Sequence, residues 1–234
     1  MLVNNYKDSK ELTGGVADWL VTYIGTTLNV QEKFTIALSG GNTPKQLFTL
    51  LASDAYRNKI DWQSMHFFWG DERAVAFNDD QNNANVAIKE LLNRVPVPPD
   101  QIHRMETSIP EQSANKYSDL LYSYFDNKEN SFDLVMLGIG EDGHTLSVFP
   151  NSPILQDHES WVRAVFVPDQ DMWRITLTPV IVNKAKKVIF LVSGSSKSDI
   201  LYKILRGDQS FPASSIHPSN GELIWFTDIA SLNP

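Results

Sequence analysis

The sequence contains no cysteine in its 234 residues, which excludes disulfides, thiolate nucleophiles and cysteine-ligated zinc. Its longest apolar runs, such as 188–192, fall far short of the roughly 20 residues that a membrane helix needs. A concentrated basic tract is also missing. Lys184, Lys186 and Lys187 form the densest cluster, in a chain with a formal charge of −8, so nucleic acid and anionic membranes are poor partners. There is no Gly-Lys-Ser/Thr ending of a phosphate loop, no Gly-x-Ser-x-Gly elbow and no His-x-x-x-His pair. Walker-type nucleotide binding, elbow-type serine hydrolysis and helix-borne metal sites lose their usual signatures, and neither a metal nor a cofactor is expected. The first eight residues are polar and lack the apolar core of a signal peptide. The resulting expectation is a cytoplasmic protein. Repeats and low-complexity tracts are absent too.

What is present is ordinary for a globular chain: 42% hydrophobic and 21% charged residues. The length suits one large domain over residues 1–234. Apolar, β-rich runs recur at 34–38, 65–69, 132–137, 161–167, 188–192 and 223–226. Segments of helical period lie between them, at 83–93 and 111–125. Thr43-Pro44 and Thr178-Pro179 each read as an N-cap followed by proline in the first helical position. Strands that are apolar throughout and alternate with helices predict a Rossmann-like, three-layer α/β/α domain with a mostly parallel sheet. An antiparallel excursion is expected around 155–166.

In such a sheet, function sits beyond the carboxyl ends of the strands. Four predicted strand ends carry glycine with polar or ionisable residues. The first is Ser39, Gly40, Gly41, Asn42 and Thr43, where free backbone N–H groups at a helix start favour an anion. The second is Gly70 with Asp71, Glu72 and Arg73, charge packed directly onto the end of an apolar strand. The third is Gly138-Ile-Gly-Glu-Asp142-Gly-His144. The fourth is Ser193-Gly-Ser-Ser-Lys197. Arg174 and Lys197 are candidate cations for a phosphate, which an acidic chain must supply locally.

Gly138-x-Gly140-x-x-Gly143 also matches the dinucleotide fingerprint. Pro150 closes the segment before a helix can develop, and Asp142 and His144 occupy positions where a pyrophosphate needs neutral backbone. The chemical reading is stronger. An imidazole titrates near working pH and can take a proton from water, and an adjacent carboxylate can orient it. His66 lies inside a strand and reads as structural, and His103, His158 and His217 lack such a setting.

Together these residues make the chain resemble the 6-phosphogluconolactonase family. The resemblance runs from Ala37-Leu-Ser-Gly-Gly-Asn-Thr-Pro44 to Trp225-Phe-Thr-Asp228. Its most specific pieces are Gly70-Asp-Glu-Arg73 and Gly140-Glu-Asp-Gly-His-Thr-Leu-Ser-Val-Phe-Pro150, with further matches at Arg174-Ile-Thr-Leu-Thr, Gly194-Ser-Ser-Lys197 and Pro212-Ala-Ser214. Glucosamine-6-phosphate deaminases share the superfamily, but resemble Asp-Glu-Tyr where Arg73 stands here, and follow Asp-Gly-His with Ile-Ala-Phe-Asn-Glu-Pro rather than Thr-Leu-Ser-Val-Phe-Pro. The chain departs from the lactonase pattern at Leu146-Ser-Val148, Glu141 and Asn82-Asn83.

The resemblance implies a fold of the NagB/RpiA/CoA-transferase-like type and hydrolysis of 6-phospho-D-glucono-1,5-lactone in the pentose phosphate pathway. On it we expect His144 to activate water and Asp142 to orient His144. Arg73 or loop N–H groups would stabilise the oxyanion, and Asp71 would contact sugar hydroxyls. Ser39 to Thr43, Arg174 and Lys197 would hold the phosphate. The expected partner is a phosphorylated sugar lactone, and the expected state a monomer or weak homodimer. The rivals are an amino-sugar-phosphate deaminase or isomerase, an NAD-binding enzyme, and a non-catalytic sugar-phosphate sensor on the same fold.

Overall fold

A computed structural model of the chain describes residues 2–125 and 129–229. Six parallel strands form the main sheet in the order β1-β9-β8-β5-β2-β3: β1 (Leu2–Asn5), β2 (Phe34–Leu38), β3 (Met65–Trp69), β5 (Leu134–Leu137), β8 (Lys187–Val192) and β9 (Glu222–Thr227). The remaining strands, β4 (Asp71–Arg73), β6 (Val162–Val167) and β7 (Met172–Leu177), form a separate antiparallel sheet in the order β4-β7-β6. The predicted antiparallel excursion is therefore real. It is a small sheet of its own, and β4 turns into it directly after Gly70.

The central strands are buried from end to end, as parallel strands covered on both faces must be. Residues of like register share a face. Phe34 and Phe226 meet Tyr23 and Trp19 of α1 (Ser9–Leu28). On the other face Phe68 meets Tyr124 and Phe125 of α4 (Pro110–Phe125). α2 (Asn42–Leu51) packs beside α1, and α3 (Asn83–Glu90) beside α2. A fully buried large side chain such as Phe34 or Trp225 contributes about 1.5–3 kcal/mol.

β1, α1, β4, β7 and a helix over Ser198–Leu205 lie outside the predicted set. β1 is mostly exposed and is held by its ladder to β9 rather than by burial. α1 contains Gly14 and Gly15, which weaken a helix by about 1 kcal/mol each. Asp8 caps it, accepting from the Lys10 and Glu11 N–H groups, and Leu12, Val16, Leu20 and Ile24 bury one face. The Thr43 cap is corrected. Gly41 is the cap residue, with φ +103°, and Thr43 lies inside α2. Thr178 does precede the single turn α5 (Pro179–Val182), but its hydroxyl donates to Ser160 O rather than to the helix.

Strand order reverses between β2 and β5. From β2 the chain moves to β3 on one side and then, through β5, β8 and β9, to the other. The turns after β2 and β5 thus flank a topological switch point, where α/β sheets open a crevice. At the opposite rim Asp133, 4% exposed, accepts from Thr35 N and Oγ1 (2.8 and 2.9 Å) and from Gln31 Nε2 (3.0 Å), and pairs with Lys186 Nζ at 2.8 Å. Asp133→Ala strands these donors and should cost roughly 2–4 kcal/mol in urea denaturation, with catalysis at the far rim unchanged. A loss below about 0.5 kcal/mol would contradict this account.

Candidate active site

All four glycine-bearing turns emerge from the same end of the parallel sheet. Along the rim they run 193–197 after β8, 138–144 after β5, 39–42 after β2 and Gly70 after β3. Neighbouring strands stand about 4.8 Å apart, so the turns are close by construction.

The loop after β5 carries the acid–base pair. Asp142 Oδ1 lies 2.6 Å from His144 Nδ1 and also accepts the His144 backbone N–H at 3.0 Å. Burial pushes the Asp142 pKa up, but these two bonds and the imidazole's charge outweigh it and hold it below its usual value. The imidazole stacks on Phe149, ring centroids 4.3 Å apart. Behind it lies Gly140, where a Cβ would fall 2.0 Å from His144 Nδ1 and 2.5 Å from Asp142 Oδ1. The loop closes through Gly140 N–H to His144 O and Thr145 Oγ1 to Gly138 O. Turns, not a helix, follow β5, so the fingerprint-like glycines lack the helix N-terminus on which a pyrophosphate rests.

A second cluster is buried beside it. Asp71, 7% exposed, accepts the Ser147 hydroxyl at 2.6 Å and the Asn83 Nδ2 at 3.5 Å, and faces Arg174 Nη1 at 3.8 Å. Asn83 also donates to Asp71 O and fills the space above Gly40, whose added Cβ would lie 1.9 Å from Asn83 Oδ1. Ser147 N–H donates to Thr176 Oγ1. Asp71 thus ties the 145–148 loop, β7 and the start of α3 to the 39–42 turn. Its carboxylate faces these protein groups rather than open solvent.

Lys197 and Arg73 are held by neutral acceptors, while Arg174 also faces the Asp71 carboxylate. Lys197 Nζ donates to Ile139 O at 2.6 Å. Arg73 Nη1 donates to Gln81 O at 2.5 Å and stands in cross-strand register with Arg174. Arg174 Nη2 bonds to Gln170 Oε1. Burial lowers the Arg174 pKa from its usual value while Asp71 opposes the shift, and a guanidinium stays charged under such pressure. The α2 N-terminus has no side-chain cap among the described residues, so the 41–43 backbone is available to an anion. The structure therefore joins His144, Asp142 and Lys197 through the 138–144 loop, and Asp71, Arg174 and Gly40 through Asn83 and Ser147. Arg73 bonds to the 79–82 turn rather than to the His144 pair.

Sequence reasoning did not assign roles to Ser147, Asn83, Glu72 or Gln170. In the sequence, Ser147 and Asn83 stand only as the matching residues beside departures from the family pattern at Leu146, Val148 and Asn82. His66 is structural, sharing a contact of 3.2 Å with His103 Nε2 and one of 3.3 Å with the Tyr124 hydroxyl.

The rim of this doubly wound α/β sheet thus gathers a hydrogen-bonded carboxylate–imidazole pair, three cationic side chains and an uncapped helix start. The chain belongs to the family described as glucosamine-6-phosphate isomerases/6-phosphogluconolactonase, which it matches over residues 7–225. It is 41% identical over 218 residues to a 6-phosphogluconolactonase of Synechocystis sp., covering 89% of this chain and 88% of that one. A 6-phosphogluconolactonase structure from Trypanosoma brucei superposes with a TM-score of 0.86 at 28% identity, over 97% of this chain and 95% of that one. A monomeric glucosamine-6-phosphate deaminase, 19% identical over 97% of both chains, shares the fold with a TM-score of 0.81.

Glu72 is fully buried and accepts three backbone N–H groups, from Arg73, Asn83 and Ala84. Desolvation dominates these bonds and pushes its pKa up to about 7. The folded protein therefore holds this proton more tightly than the unfolded chain. That stabilisation is complete below about pH 4.5 and is lost as pH rises through about 7. Glu72→Gln removes the titration. The stability of wild type relative to this variant, from urea midpoints, should fall by about 2 kcal/mol between pH 5 and pH 7. A difference independent of pH would refute the shift.

Proposed function

We propose that the chain hydrolyses 6-phospho-D-glucono-1,5-lactone to 6-phospho-D-gluconate in the oxidative pentose phosphate pathway, using water activated by His144 and no metal, as a single domain. The observation that carries this reading is the 2.6 Å contact between Asp142 Oδ1 and His144 Nδ1. An ionised carboxylate at Nδ1 favours the tautomer with its proton there, leaving the Nε2 lone pair to accept a proton. The family membership and the relatives named above support the substrate.

His144 takes a proton from water as the water oxygen attacks the lactone carbonyl carbon. The carbonyl oxygen gains the negative charge, which Arg73 or backbone N–H groups of the rim turns stabilise. On collapse the carbon–ring-oxygen bond breaks, and the imidazolium returns its proton to the departing ring oxygen. Asp142 stabilises the imidazolium between the two transfers. The phosphate sits against the 39–43 turn, with Arg174 and Lys197 supplying the charge.

The lactone can be generated in situ and its disappearance followed, corrected for spontaneous hydrolysis. His144→Ala should lower kcat by roughly 10²–10⁴-fold, and Asp142→Asn should lower kcat with little change in KM. Lys197→Ala should chiefly raise KM. Equal corrected rates for wild type and His144→Ala would discard the mechanism. Ammonia released from glucosamine 6-phosphate would point to the deaminase instead.

A further inference from the structure

The chain leaves β9 at the same rim, and there it carries a carboxylate that the lactone mechanism leaves unassigned. β8 and β9 run in register up to Val192 and Thr227, so Ser193 and Asp228 leave the sheet side by side. Asp228 Oδ2 accepts the Ser193 hydroxyl at 2.6 Å, and Oδ1 accepts the Gly194 N–H at 2.9 Å. One carboxylate thus holds both side chain and backbone at the start of the 193–197 loop.

Gly194 has φ +97°, and a Cβ added there would meet nothing within 4 Å. Backbone conformation, not space, is what the glycine supplies. It turns the chain out of β8 into the single turn Ser195–Lys197, where Lys197 N–H donates to Gly194 O at 3.2 Å. α6 (Ser198–Leu205) follows at once and buries Leu201 and Ile204. Lys197 therefore stands between the Asp228 clamp and the start of a packed helix. Its Nζ reaches across to Ile139 O at 2.6 Å, on the loop that carries Asp142 and His144.

Charge alone gives no reason to place a carboxylate against a loop that is to bind an anion, since it repels the ligand. Its two acceptor oxygens do give one. Bonds from neutral donors to an ionised acceptor are the stronger kind, and this pair fixes the turn from which Lys197 projects. We propose that Asp228 is a positioning residue: it clamps Ser193 and Gly194 so that the Lys197 ammonium is held beside the 138–144 loop to receive the substrate's phosphate. Asp228 acts through Lys197 and touches no substrate. The clamp stands on the two hydrogen bonds; its effect on binding rests on the phosphate role of Lys197 in the lactone reading.

The clamp is read without substrate from hydrogen exchange of the Gly194 amide. Asp228→Ala should speed that exchange about tenfold, and Asp228→Asn, whose Oδ1 can accept the same N–H, should restore most of the protection. Exchange unaltered in Asp228→Ala overturns the clamp. Its consequence is read from lactone hydrolysis and from calorimetric titration with 6-phospho-D-gluconate. Asp228→Ala should raise KM and the product Kd about three- to tenfold and change kcat less than about twofold. Asp228→Asn should recover most of that loss. Ser193→Ala removes one donor from the loop without touching the sheet, and should raise KM about twofold; it carries the comparison if Asp228→Ala does not fold. In a Lys197→Ala background either substitution should change KM by less than about 1.5-fold, because the clamp acts through the lysine. A loss that falls on kcat, that Asp228→Asn does not recover, or that persists undiminished without Lys197 overturns the positioning role. Absent hydrolysis in wild type, with the 6-phospho-D-gluconate pattern intact, counts against the lactone reading alone.

Discussion

The site depends on one buried carboxylate. Asp71 lies at the point where the chain leaves the parallel sheet for the antiparallel one, and segments from three other parts of the sequence converge on it. A buried charge is tolerated only when it is paired and hydrogen-bonded. Arg174, at 3.8 Å, neutralises it loosely, so the short bond from Ser147 and the Asn83 amide carry much of the compensation. These partners cannot leave without exposing an uncompensated charge. The 145–148 loop is thereby fixed relative to α3, and Asn83, resting on Gly40, fixes α3 relative to the 39–42 turn. The 39–42 turn and the 145–148 loop are held in register by a group that is itself buried.

The acidity of the whole chain also bears on the anionic substrate. At physiological ionic strength charges beyond about 8 Å are screened, so the net charge governs approach weakly and local groups govern binding. Lys197 and Arg73 donate to carbonyl oxygens, and Arg174 to an amide oxygen. For Lys197 and Arg73 these neutral acceptors orient the cation while leaving its charge largely unspent, whereas Arg174 shares its charge with Asp71. Had the partners been close carboxylates, the site would hold ion pairs with little attraction left for a phosphate. The uncapped start of α2 follows the same logic, because a side-chain cap would occupy the N–H groups an anion needs.

The central strands were legible because burial on both faces imposes continuous apolar runs, and their end turns because glycine beside charge is conspicuous there. β1 was not: its residues are exposed, and only its ladder to β9 defines it. α1 was hidden by two glycines in its first half, where tertiary packing overrides propensity. Thr43 looked like a cap because Thr-Pro is a strong local signal, yet the positive φ available to Gly41 moved the helix start two residues earlier. His144, Asp142 and the rim cations were readable as residue types at strand ends. Ser147, Asn83 and Glu72 were not, since each acts through a partner at least eleven residues away in sequence.

The glycines that imitate a dinucleotide fingerprint show why spacing alone misleads. In that motif they admit a pyrophosphate to bare backbone. Here Gly140 admits the imidazole and carboxylate of its own loop, and Gly143 admits Phe211. With Phe149 on its other side, the His144 ring is confined although it remains partly open to solvent. The role we propose for His144 needs both properties, access for water and a fixed direction for its lone pair. Close approach to glycine supplies the second without covering the first. A side chain at position 140 would therefore displace the imidazole itself, and the motif is constrained by the ring it packs against rather than by any nucleotide.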